Sequence, residues 1–171
     1  MHKLVRGFTL PEALTVLAII SLLLGVAAPT WQAFSRNQES KSALNTLASH
    51  LVMARSESIK RNRPVLIDNV DGNWNSGWTL YVDANNNALL DAGDPVLASI
   101  QPQPAGLIIT GNTPVRRYVR YTPSGQTQLP GGAFQAGTLT ICDASGLQPV
   151  RKLIISASGR ARVFRTAPAP C

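Results

Sequence analysis

The sequence predicts an α+β fold, with one long N-terminal helix followed by an antiparallel β head. Three observations carry this. Residues 13–35 contain no charged side chain, and a helical period of apolar residues continues beyond them to about Arg61. After Pro64 the period shortens to two. From there on, seven or eight short apolar runs are separated by Gly, Pro, Asn and Ser. A helix followed by a run of strands is the order expected of an α+β domain.

The first part of the helix is the uncharged run, mostly Ala, Leu, Ile and Val. About 20 such residues can cross a bilayer as a helix, where the backbone must satisfy itself. Glu12 stands at the edge of this run. A carboxylate at membrane depth costs several kcal/mol unless partnered, so it reads as functional. Thr9-x-x-Glu12 also fits a capping box. An ordinary secretory signal, with Lys3 and Arg6 ahead of the apolar region and Val26-Ala27-Ala28 as its cleavage site, would be spoiled by Glu12. Pro29 should kink or locally melt the helix. From Glu39 to Arg61 the pattern turns amphipathic, with Leu44, Leu47, Leu51, Ala54 and Ile59 or Ser58 on one stripe. Glu57 with Lys60 and Arg61 supports the other side, and Pro64 ends the helix.

The expected strands are Val65–Ile67, Trp78–Val82, Val96–Ile100, Gly106–Thr110, Arg116–Thr122, Thr138–Cys142, Leu153–Ser156 and Arg160–Phe164. In the fifth, alternation puts Arg116, Tyr118 and Arg120 on one face, with Val119 and Tyr121 inward. Between the second and third, Asp83, Asn85, Asn87, Asp91 and Asp94 approximate the ligand spacing of a calcium-binding EF-hand loop. Ala88 replaces the turn glycine, Asp94 replaces the bidentate Glu, and no helix flanks the loop. An Asx-rich hairpin loop is the plainer account.

Charge is distributed unevenly. Residues 64–114 hold five Asp and no Lys or Arg, whereas residues 115–171 hold eight Lys or Arg and only Asp143. A basic C-terminal third makes a polyanion a candidate partner. Within it, Arg160 and Arg162 would project from the same side of a strand about 7 Å apart, near the phosphate spacing along one DNA strand. Arg165 follows, Arg151-Lys152 and Arg116 with Arg120 would widen the patch, and Tyr118 or Phe164 could stack on unpaired bases. The competing account is a solvated charged face, or arginines that keep a sheet edge from pairing with another. No Ser/His/Asp, Cys/His or metal constellation is visible, so no catalytic residue, metal or cofactor is expected. His2 and His50 lie too far from the two cysteines for a zinc site.

Gly7-Phe8-Thr9-Leu10, then Glu12, an apolar helix and Pro29, resembles the N-terminus of type IV prepilins and pseudopilins. Pro11 departs from the usual aliphatic residue but is tolerable in a first helical turn. The resemblance implies cleavage between Gly7 and Phe8 by a prepilin peptidase, N-methylation of Phe8, and a role for Glu12 in assembly with other pilins. It implies a leader at 1–7, a transmembrane and filament-core helix at 8–35, and a periplasmic head at 36–171, made of a helix at 36–62 and a β head at 64–171. The subunit would sit in the inner membrane before joining a pilus at the cell surface. An even cysteine count in an exported head suggests one disulfide, Cys142–Cys171, with two free thiols as the alternative.

The acidic hairpin and the run Gly159-Arg160-Ala161-Arg162 resemble the FimT/GspH branch of minor pilins, closest to the Gly-Arg-x-Arg motif of FimT-type members. That resemblance implies non-specific DNA binding through the phosphate backbone, for uptake in natural transformation or competence. The alternative is a structural GspH-like pseudopilin of type II secretion, or an assembly-priming subunit without DNA binding.

Overall fold

The structure, a computed structural model, describes residues 9–69 and 71–171, leaving aside the side chains of 26–30. Gly7 and Phe8 lie outside the described residues. The chain divides into two compact units, Met1–Ser35 and Arg36–Cys171. Helix α1 is Leu10–Arg61 and carries on through Pro29, so the expected local melting there is not observed.

In the first unit the hydroxyls of Thr15 and Ser21 donate back to the carbonyls of Glu12 and Leu17, at 2.9 and 2.8 Å. These bonds satisfy both hydroxyls within the helix. Leu14, Leu17, Leu22, Leu23 and Leu24 are exposed. The rings of Trp31 and Phe34 pair at 6.0 Å. Among the described residues, no helix is long and apolar enough to cross a membrane.

In the second unit the helix buries Ser40, Leu44, Leu47, Leu51, Ala54 and Ser58. These positions continue the helical period. Of the two candidates for its last place, Ser58 is inside and Ile59 is 52% exposed. Ser58 is tolerated there because its hydroxyl donates to the Arg55 carbonyl at 2.8 Å. The helix closes with the Asn62 N–H on Ile59 O and the Arg63 N–H on Ser58 O, and Asn62 takes a positive φ of 50°. This is the Schellman arrangement, with Asn at the left-handed position and Pro64 directly beyond.

The strands are β1 (Val65–Asp68), β2 (Trp78–Val82), β3 (Val96–Ile100), β4 (Leu107–Gly111), β5 (Tyr118–Tyr121), β6 (Gly137–Asp143), β7 (Pro149–Ile155) and β8 (Ala161–Pro168). They form two four-stranded sheets, ordered β3-β2-β1-β5 and β4-β6-β7-β8, with every pairing antiparallel. One core joins them to the helix, with Leu47 and Leu51 packed among Ile67, Tyr121, Leu139 and Leu153. β8 is an edge strand and outlasts its expected end at Phe164 by four residues. A disulfide joins Cys142 to Cys171 and ties down the tail that follows it.

The Asp83–Asp94 loop satisfies itself. Asp83 accepts from the Asn87 and Ala88 N–H groups, Asp94 from Ala84 and Asp91, and Asp91 from the side-chain amides of Asn85 and Asn87. This is the bonding of an Asx-rich hairpin loop, and no group of three or more His, Cys, Asp or Glu that could hold a metal ion occurs among the described residues.

His50 on α1 is half-buried, and its Nδ1 accepts from the Trp78 indole N–H at 2.9 Å. The indole can only donate, so the imidazole carries its proton on Nε2. Burial lowers the His50 pKa from its ordinary 6.5. The folded state therefore favours the neutral ring. The resulting stability is present above the unfolded value and is lost as pH falls below about 6.5. Lowering pH from about 7 to about 5 should reduce the unfolding midpoint and perturb Trp fluorescence. His50→Gln should show a smaller pH dependence over that range. Identical profiles would show that the His50–Trp78 contact does not sense pH.

Candidate nucleic-acid interface

The Gly-Arg-x-Arg run begins at the turn between β7 and β8. The Gly159 N–H donates to Ser156 O at 2.8 Å, and the Ser156 N–H donates to Arg160 O at 3.0 Å. This bonding matches a three-residue hairpin loop whose last residue is left-handed. Gly159 supplies that conformation, with a φ of 77°. Thr127 fastens the turn from the side, its N–H on Ala157 O and its hydroxyl on the Ser156 carbonyl. Arg160 and Arg162 thus leave a fixed turn onto an edge strand.

Both line an open cleft of about 340 Å³ with Leu51, Val52 and Arg55 of α1 and with Tyr121. No carboxylate is among the lining residues. Arg160, Arg162 and Arg165 are exposed, and none enters an ion pair among the described residues. The Tyr121 hydroxyl is buried, without a hydrogen-bond partner among the described residues, and burial raises its pKa. Arg55 is the member that sequence reasoning missed. Its place on the helix flank, one turn beyond Leu51, was the available signal.

The remaining expected contacts disperse. By register Arg162 faces Ile154 and Phe164 faces Lys152, whereas Arg165 faces Arg151 across the other side of the strand. Arg165 is therefore exposed but does not share a face with Arg162. Lys152 is half-buried on the Phe164 side. Phe164 is 59% exposed and available for stacking. Tyr118 is instead half-buried against the small cluster of Leu66, Tyr81 and Ala88. Arg116 is exposed at the opposite end of β5 from Tyr121.

Two expected contacts are corrected. Arg151 is 5% exposed, and its guanidinium donates to Ser40 Oγ at 2.8 Å, Pro149 O at 3.1 Å and Asn37 Oδ1. Burial lowers its pKa, with the nearby Arg165 charge adding to the effect. It bolts β7 to the helix. Arg120 is 7% exposed and donates to Asn86 Oδ1 and Gln128 O. The predicted alternation holds for Tyr118–Tyr121 but not for Arg116, which lies before β5 in a helical conformation, and the Asp83–Asp94 loop covers the face that Arg120 shares. The acids are also committed, Asp143 to Arg36 at 3.7 Å and Asp68 to Arg117 at 3.8 Å.

Comparison with known proteins places this arrangement in a family. Residues 43–159 match the family described as type II transport protein GspH, and residues 2–28 match the prokaryotic N-terminal methylation motif. The first match stops at Gly159, so the β8 arginines lie beyond it. The pilin-like protein PilA1 of Thermus thermophilus is 33% identical over 170 residues, covering 92% of this chain and 97% of that protein. The crystal structure of the type IV minor pilin FimU of Pseudomonas aeruginosa is similar with a TM-score of 0.59 and 25% identity, over 80% of this chain and 96% of that one. The minor pseudopilin EpsH of the Vibrio cholerae type 2 secretion system, at 14% identity and a TM-score of 0.56 over 74% of this chain and 97% of that one, shares the fold. With its N-terminal motif, its long helix and its two antiparallel sheets, the chain belongs to the GspH family of type IV minor pilins and pseudopilins.

Proposed function

We propose that this subunit is a minor pilin that holds DNA by its phosphates at the β7–β8 hairpin, as a FimT-type member would in natural transformation. The observation that carries the reading is the cleft in which Arg160 and Arg162 meet Arg55 with no carboxylate among them. Guanidinium forks match phosphate oxygens, and each free fork can take one phosphate. Arg165 adds a contact from the other side of the edge strand, and exposed Phe164 offers a stacking surface for an unpaired base. Three or four such contacts give sequence-independent binding of about micromolar affinity or weaker at physiological salt. Several subunits or pili on one DNA molecule would compensate by avidity.

The processing and placement of the subunit belong to the same proposal. The N-terminal match supports cleavage at Gly7–Phe8, methylation of Phe8, membrane anchorage through residues 8–35 before assembly, and Glu12 as an assembly contact with other pilins. Its role is that of a filament component and not of an enzyme.

The test is retention of labelled DNA by the full chain in a non-ionic detergent. Wild type should shift DNA at low salt. Arg160→Ala with Arg162→Ala should weaken retention by at least about tenfold, at two lost phosphate contacts. Undiminished retention would overturn the site. A purely structural pseudopilin role is favoured by one feature, the open β8 edge with exposed Val163 and Phe164. On that account neither protein would retain DNA.

A further inference from the structure

A second basic pocket, distinct from the hairpin cleft, lies where α1 ends. It encloses about 510 Å³ and is lined by Arg61, Arg63, Asp83, Asn86 and Arg120 among others. Arg120 is the unusual member. It is 7% exposed and forms no ion pair among the described residues. Its two terminal nitrogens donate only to neutral oxygens, Asn86 Oδ1 and, at 3.4 Å, Gln128 O. Its Nε has no partner at all among the described residues.

A buried guanidinium without a counter-charge is unfavourable, since the effective desolvation penalty reaches several kcal/mol. The surrounding chain does not supply that counter-charge. Asp83 is the only carboxylate in the pocket wall, and its two oxygens accept from the Asn87 and Ala88 N–H groups at 3.0 and 2.9 Å. The other two charged residues in the wall are positive. Arg63 uses one terminal nitrogen on Ala84 O at 2.6 Å, and Arg61 is paired with Glu57 from the helix side. With Arg61 offset by Glu57 and the Asp83 carboxylate counted in full, three guanidiniums against two carboxylates still leave the cavity net positive.

We propose that this pocket binds a phosphate-class oxyanion, drawn by the buried and uncompensated charge of Arg120 and held by Arg63 and Arg61. A tetrahedral anion has enough oxygens to meet more than one fork at once, and its charge offsets the buried one. The anion has two possible sources, free inorganic phosphate or a phosphodiester of a nucleic-acid backbone. Arg55 and Arg61 lie six residues apart on α1, about 9 Å along its axis and about 120° around it, so DNA retention by an Arg61/Arg63 variant decides whether one strand reaches both seats. The proposal stands whether or not the hairpin binds DNA.

The experiment uses the full chain in non-ionic detergent, with inorganic phosphate as the probe and sodium chloride holding ionic strength constant. Phosphate should raise the unfolding midpoint, with stabilisation growing as the logarithm of one plus the ratio of phosphate concentration to Kd, as for a ligand of the folded state. Arg61→Ala with Arg63→Ala, both exposed positions, should weaken the apparent affinity at least about tenfold. Arg120→Gln should abolish the response, and the exposed pair keeps the test decisive if that variant does not fold. Lys41→Ala, an exposed position on α1 about 30 Å along its axis from Arg61, should leave the phosphate response intact. No rise over chloride at equal ionic strength, or a rise unchanged in the Arg61/Arg63 variant, overturns the proposal. A DNA-retention arm separates the sources. If the Arg61/Arg63 variant also loses DNA and phosphate competes with DNA, the seat takes a backbone phosphodiester. If DNA retention is unchanged, it takes the free anion. Both results uphold the site. Failure of the hairpin reading would show separately, as DNA retention insensitive to the Arg160/Arg162 substitutions.

Discussion

Gly159→Ala is expected to destabilise the chain by about 2–5 kcal/mol and to weaken DNA retention without removing any charge. A Cβ at this position would lie 2.0 Å from the Gly125 carbonyl oxygen and 3.1 Å from the Tyr121 ring. The nearest of these is backbone, so no flexible side chain can swing away to make room. The positive φ adds strain of its own. The turn must therefore shift, and Arg160 shifts with it. Gly131→Ala is the matched control, because a Cβ there meets nothing within 4 Å and the residue lies outside the left-handed region. A thermal or denaturant midpoint for the two variants decides the matter. Equal midpoints would show that the hairpin tolerates a side chain and that its geometry is not what positions the arginines.

Removing the disulfide by Cys142→Ser with Cys171→Ser should lower stability by about 3–4 kcal/mol, the loop-closure value for a separation of 29 residues. The effect should also be local. β8 has only Ala161 packed against the core, and the rest of the strand is exposed. Beyond that residue the strand depends on the β7 ladder and on the bridge at its far end. Amide exchange should therefore accelerate most from Phe164 to Ala167 and least near Ala161. Uniform exchange along β8 would show that the bridge does not hold the tail.

Much of the fold was legible because its signals are periodic. The change from a helical period to a period of two occurs at Pro64, and turn residues separate the strands. Expected and observed ranges coincide for β2 at Trp78–Val82 and β3 at Val96–Ile100, the ends of β1, β4, β5 and β6 differ by two residues or fewer, and β7 and β8 each miss one end by four. The extra length of β7 and β8 was less legible, because Pro149 and Pro168 read as breakers. Yet the two residues face each other across the ladder at an irregular register.

The site was legible only in part, for a physical reason. A sequence shows that Arg151 and Arg120 carry charge, but not that neutral acceptors await them. Arg151 finds Asn37 and Ser40 across sequence separations of 114 and 111 residues, and Arg120 finds Asn86 across 34. Strand alternation alone cannot reveal those partners, nor that a self-satisfied Asx loop would cover the Arg120 face. Alternation by itself assigns Arg165 to the side opposite Arg162, and the register with Arg151 agrees. Arg55 escaped notice because a single cation on a helix flank resembles any solvated side chain. It becomes informative only when the hairpin turn lies beside it.

The most direct test of phosphate recognition is the salt dependence of DNA retention by the full chain in non-ionic detergent. Each phosphate contact contributes about one to the slope of log affinity against log salt. Wild type should therefore bind steeply, and Arg160→Ala with Arg162→Ala should flatten the slope by about two. Parallel slopes for the two proteins would contradict the assignment of these arginines to phosphate.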